Sequence, residues 1–93
     1  MRTYTSKLIF HDGTILSITP NKGNKFTLEE LQKYVGGYIQ IIYLQHNLAM
    51  IINEEGKFLD LPKNEEATKL ANFHPDFDDY IVGNVVICKL EQF

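Results

Sequence analysis

Residues Thr27 to Ile41 constrain the fold most: a capped helix ends in two glycines and runs straight into an apolar strand. Thr27 and Glu30 have the spacing of a capping box. In it the threonine hydroxyl accepts from the Glu30 amide, and the Glu30 carboxylate accepts from the Thr27 amide. Phe26 and Leu31 occupy the staple positions around that cap. Leu28, Leu31 and Val35 recur at helical spacing, which predicts one buried face. Gly36 then ends the helix, because glycine takes the left-handed cap conformation without strain.

The rest of the chain reads around this block. Tyr4 to Phe10 and Thr14 to Ile18 flank His11, Asp12 and Gly13, and Asp-Gly between apolar segments predicts a hairpin. Pro20 to Lys25 lacks periodicity and is expected to be a loop. Tyr38 to Leu44 and Leu48 to Ile52 are expected strands joined at Gln45, His46 and Asn47. Ile39, Ile41 and Tyr43 share one face with Ile42 and Leu44 on the other, which suggests a central strand covered on both sides. Asn53 to Gly56 turns the chain into a further expected strand, Lys57 to Leu61. Asn64 is the expected N-cap of a short helix with Glu65 and Glu66 in its first turn. An acidic loop from Asn72 to Asp79 precedes a last strand, Tyr80 to Leu90, which Gly83 interrupts as a bulge candidate. The order β-β-α-β-β-β-α-β gives a single α+β domain over residues 1–93. Its fold is a mixed, largely antiparallel sheet of about five to six strands with two short helices.

With 44% apolar and 12% aromatic residues, the chain is expected to be globular. Cys88 is the only cysteine. It excludes an intramolecular disulfide and points to a reducing, cytoplasmic setting. Neither a secretory leader nor an apolar run of membrane-spanning length is apparent, so no membrane association is expected. The net charge of −3 is unevenly spread. Met1 to Lys33 carries five basic and three acidic residues, Asn53 to Asp79 three basic and eight acidic. Without a clustered basic face, nucleic-acid binding is not expected.

Three places invite chemistry. At Gly36-Gly37 the first glycine is explained by the helix cap. The second leaves open a close approach of backbone to a ligand, with Tyr38 beside it for stacking. At Asn53-Glu54-Glu55-Gly56-Lys57 the carboxylates suit cation binding or acid–base work, and a solvated turn suits the same residues. The Asn53 amide would either read a ligand edge or close the turn. His74-Pro75-Asp76-Phe77-Asp78-Asp79 resembles a metal loop in composition, yet it lacks the glycine and distal glutamate of a calcium site. His11 and His46 lie in separate turns, so no metal site is expected. Cys88 has no adjacent base and Ser6 and Ser17 no elbow of glycines, so covalent catalysis is not expected. Gly36 and Gly37 follow a helix rather than open one, which excludes a phosphate-binding loop.

The block Phe26 to Gln32, then Val35-Gly36-Gly37-Tyr38-Ile39, resembles the DUF3846 family, a domain of unknown function frequent in phages and in bacterial genomes carrying mobile elements. Asn53 to Lys57, Leu61 to Asn64 with Ala67, and Ile81 to Val86 match it in order, although an acidic residue often stands where this chain has Asn84. The resemblance implies a phage or mobile-element protein in a bacterial cytoplasm. It also implies that Gly36, Gly37, Tyr38, Asn53, Glu54, Gly56, Asn64 and Gly83 follow the family pattern. Gly56 and Gly83 are assigned to backbone geometry, and Gly36, Gly37, Tyr38, Asn53, Glu54 and Asn64 to a candidate ligand surface. The leading expectation is a non-enzymatic, homo-oligomeric module without cofactor, sequestering a nucleotide-like host defence signal. The alternative is a protein-interaction module that inhibits or recruits a host factor through its acidic segment. An enzyme using Glu54, Glu55 or His74 ranks third.

Overall fold

The three-residue turn expected at His11-Asp12-Gly13 closes the first hairpin. The Phe10 amide donates to the Thr14 carbonyl at 2.8 Å, and the Asp12 carboxylate accepts from the Thr14 amide at 2.9 Å. The hairpin joins β1 (Ser6–Ile9) to β2 (Ile15–Ile18). The structure is a computed structural model describing residues 6–71 and 79–93. After β2 come α1 (Leu28–Val35), β3 (Ile39–Tyr43), β4 (Leu48–Asn53), α2 (Glu65–Ala71) and β5 (Val85–Lys89), and a 3-10 turn over Leu90–Gln92 follows. Among the described residues, five strands form one antiparallel sheet in the order β2-β1-β5-β4-β3. The α+β expectation therefore holds.

Both faces of the sheet are covered. Alternation along each strand sends Leu8, Ala49, Ile51, Val86 and Cys88 to one face, where Phe26, Leu31 and Val35 of the α1 region pack on them. Ile9, Met50, Val85 and Ile87 go to the other, under Ala67 and Ala71 of α2 and Ile81. Strand β5 is buried from Val85 to Cys88 because it lies mid-sheet between both layers. Burial also pushes the Cys88 thiol up to about 11, so it is a packing group rather than a nucleophile at neutral pH.

Four local expectations need correction. Strand β3 is an edge strand, not a central one. Its two-sided apolar pattern arises because Ile39 and Ile41 pack on the α1-side cluster while Ile42 packs on the cluster of the opposite face. Lys57 to Leu61 is not a strand but a run of turns, with Asp60 at φ 59°. Gly83 is not a bulge within β5. It sits before that strand at φ 78°, donating its amide to the Pro62 carbonyl at 2.7 Å. Leu28 is 57% exposed, since Phe26, folded back by the cap, packs on Leu31 where the helix begins.

The α1 cap forms as its sequence dictates, with both capping-box bonds present and Gly36 at φ 84°. Glu30 does more than cap. Its second carboxylate oxygen accepts from the Asn21 amide at 2.8 Å, which pins the Pro20–Lys25 loop to the helix start. The amides of Thr27 and Asn21 hold its pKa below the ordinary value of 4.5. A depressed carboxylate pKa contributes stability that is present above the unfolded value and lost as pH falls through the folded value. Glu30→Gln, which keeps an acceptor for Thr27, is therefore expected to flatten the acid limb of a plot of Tm against pH. An acid limb unchanged in the variant would remove Glu30 from that role.

Candidate functional site

The segment after β4 is shaped by Asn53. This side chain is buried, donates to the Val35 carbonyl at 3.2 Å and accepts from the Glu55 amide at 2.8 Å. It thus ties the C-terminal turn of α1 to the turn that follows β4. It also accounts for the second glycine. A Cβ on Gly37 would sit 3.0 Å from the Asn53 amide nitrogen, so the close approach at Gly37 is to Asn53. Gly56 is tighter still, because a Cβ there would lie 2.7 Å from a methyl of Val82. The turn 54–60 therefore lies against residues 81–83 and projects outward, carrying Phe58 88% exposed at its tip.

Beneath that turn lies a cleft of about 570 Å³. Gln40, Ile42 and Ile52 of the sheet form one wall, Glu54 to Phe58 a second, and Asp79 to Val82 a third. Lys57 sits 4.5 Å from the centre of the Tyr80 ring and pairs with the Asp79 carboxylate. Lys63 reaches the same ring at 5.8 Å. Lys57, with the Tyr80 amide, holds the Asp79 pKa below the ordinary 3.8. The charged lining is three carboxylates against one ammonium. That balance suits a ligand edge bearing N–H donors, while the ring of Tyr80 and the apolar wall suit a flat group.

The structure divides the expected site. Asn53 and Glu54 line the large cleft. Gly36, Gly37 and Tyr38 line a smaller one of about 260 Å³ with Gln32, Glu55 and Leu59. Glu55 belongs to both, so the two adjoin. Asn64 lines neither. Fully buried, it donates to the Ile9 and Gly83 carbonyls at 3.1 and 2.8 Å and accepts from the Ala67 amide at 3.0 Å. Apart from Asp79, the His74 to Asp79 segment lies outside the described residues. Among the described residues, no group of three His, Cys, Asp or Glu side chains could hold a metal ion, and no helix is long and apolar enough to cross a membrane.

Sequence reasoning missed Gln40, Phe58 and Tyr80 as cleft residues. Phe58 was hidden by reading Lys57 to Leu61 as a strand. The absence of any β-branched residue from that segment was the signal against it. Nothing local to Gln40 or Tyr80 marks them. A family model described as "Domain of unknown function (DUF3846)" matches residues 11–92. Neither a curated protein nor a solved structure matches the chain.

Proposed function

The chain belongs to the DUF3846 family, and for this member we propose a non-catalytic module that captures a small nucleotide-like molecule in the cleft beneath the turn 54–60. The reading rests on one observation: an aromatic ring, an apolar wall and hydrogen-bonding carboxylates converge on a space of about 570 Å³. In this reading the flat base lies against Tyr80 and the Ile42 and Ile52 wall. Its amino edge donates to Glu54 or the Gln40 side-chain carbonyl, and the negative part of the ligand points outward to Lys63. Asn53 and Gly37 act as framework, holding the turn in place. The resemblance to phage and mobile-element proteins supports a setting in a bacterial host, with the captured molecule a defence signal.

The test is to pass a bacterial small-molecule extract over the purified protein, desalt it, denature it and identify what is released by mass spectrometry. A stoichiometric nucleotide-like compound is expected. Base–aromatic stacking is worth about 1–3 kcal/mol, so Tyr80→Ala should weaken its binding roughly 5- to 150-fold. An empty protein, or unchanged affinity in Tyr80→Ala, would overturn the reading. Phe58 favours a second one: an almost fully exposed ring beside Glu54, Glu55 and Asp60 suits an anchor on a host protein. An empty wild-type protein, together with loss of a host partner in Phe58→Ala, would select it.

A further inference from the structure

Strand β3 ends the sheet with its outer edge unpaired among the described residues. Which backbone groups face outward follows from the hairpin. Leu44 donates to the Leu48 carbonyl and Glu54 to the Tyr38 carbonyl, so the even-numbered residues of β3 bond to β4. The N–H and C=O groups of Ile39, Ile41 and Tyr43 therefore point away from the sheet. Natural edges are usually blunted by charges, proline or a bulge. This one has none: no Asp, Glu, Lys or Arg occurs from Tyr34 to Asn53, in a chain that is 23% charged. Tyr43 is 65% exposed beside this edge.

We propose that β3 pairs antiparallel with β3 of a second copy of this chain, about a two-fold axis at Ile41. The outward set is centred on Ile41, so self-pairing matches all three residues. Ile41 meets Ile41 of the partner subunit, and Ile39 meets Tyr43 of the partner subunit, twice. Each pair exchanges two backbone hydrogen bonds, about six in all. The flanking contacts are aromatic against β-branched, a favourable cross-strand combination. The absence of formal charge along the edge means that two copies of an anionic chain meet there without like-charge repulsion. The axis is perpendicular to the sheet, so both copies keep Gln40 and Ile42 on the same side. The two clefts then lie side by side on one continuous sheet, with Gln40 and Ile42 of both subunits as the floor between them.

The experiment is sedimentation equilibrium of the full chain, combined with amide hydrogen exchange by NMR. The wild type is expected at twice 10.8 kDa, with the Ile39, Ile41 and Tyr43 amides as protected as those of Gln40 and Ile42. Ile41→Pro removes an outward N–H, at a position where edge strands tolerate proline, together with the packing of the Ile41 side chain on the α1 face. It should be folded and sediment at 10.8 kDa, with the Ile39 and Tyr43 amides exchanging rapidly. Should that variant fail to fold, the wild-type protection pattern decides alone. A monomeric wild type, or a dimer whose outward β3 amides exchange rapidly, would overturn the proposal. Dimer and ligand are separable, since Tyr80→Ala is expected to leave the mass unchanged.

Discussion

Asn64→Ala is expected to cost about 3–5 kcal/mol and to lower Tm by roughly 15–30 °C. The side chain is fully buried and engages three backbone groups from three parts of the chain: the end of β1, the segment before β5 and the first turn of α2. Removing it leaves the Ile9 and Gly83 carbonyls without that donor, at about 1–3 kcal/mol each, and strips a helix cap worth about 1 kcal/mol. Against a typical stability of about 5–15 kcal/mol, little would remain. Asn64→Asp separates the two contributions. It keeps the acceptor that caps α2 but turns a carboxylate oxygen toward two carbonyls. If the donors dominate, denaturant unfolding should find the aspartate at least as damaging as the alanine. A mild Asp variant would mean that Asn64 is only a cap, and a stable Ala variant would mean that its bonds to the Ile9 and Gly83 carbonyls add little to stability.

Asn53→Ala should cost about 2–3 kcal/mol, because it removes the side-chain partners of the Val35 carbonyl and the Glu55 amide. Its coupling to Gly37 is more informative. Gly37→Ala in the wild-type background forces a Cβ to 3.0 Å from an amide nitrogen that its own hydrogen bond holds in place. Crowding of this kind costs about 1–3 kcal/mol. In the Asn53→Ala background the crowding partner is gone, so the same change should be nearly neutral. A double-mutant cycle measured by urea unfolding should therefore show a coupling of about 1–2 kcal/mol. Additive effects would mean that Gly37 is small for another reason, and the ligand reading of the double glycine would regain ground.

Several features were legible in the sequence because their causes lie within about four residues. Thr27 and Glu30 cap α1 as their spacing required. The three-residue turn at His11 to Gly13 forms with its aspartate bond, and Asn64 accepts from the amide three positions on. The family pattern around Gly36 and Gly37 was also visible, and the match to residues 11–92 agrees with it. The meaning of Gly37 was not. Its neighbour is Asn53, brought there by the β3–β4 pairing of Ile39 with Asn53. The cleft was likewise invisible, since its walls come from Gln40, the 54–58 turn and residues 79–82.

The sequence by itself determined the caps, the first hairpin, the two apolar faces and the α+β class. Nearest-neighbour sterics, local hydrogen bonds and the 2.0 and 3.6 residue periods suffice for these. Tertiary structure decided that β3 lies at an edge, that Lys57 to Leu61 turns outward, and that Asn64 joins three segments while Asn53 fixes the turn. Periodicity says which side chains are buried but not which strand is left unpaired. A two-sided apolar strand satisfies its pattern equally in mid-sheet or at an edge with an apolar cluster on each face. Only the distant partners, chosen when backbone hydrogen bonds and buried area are satisfied together over the whole chain, distinguish the two.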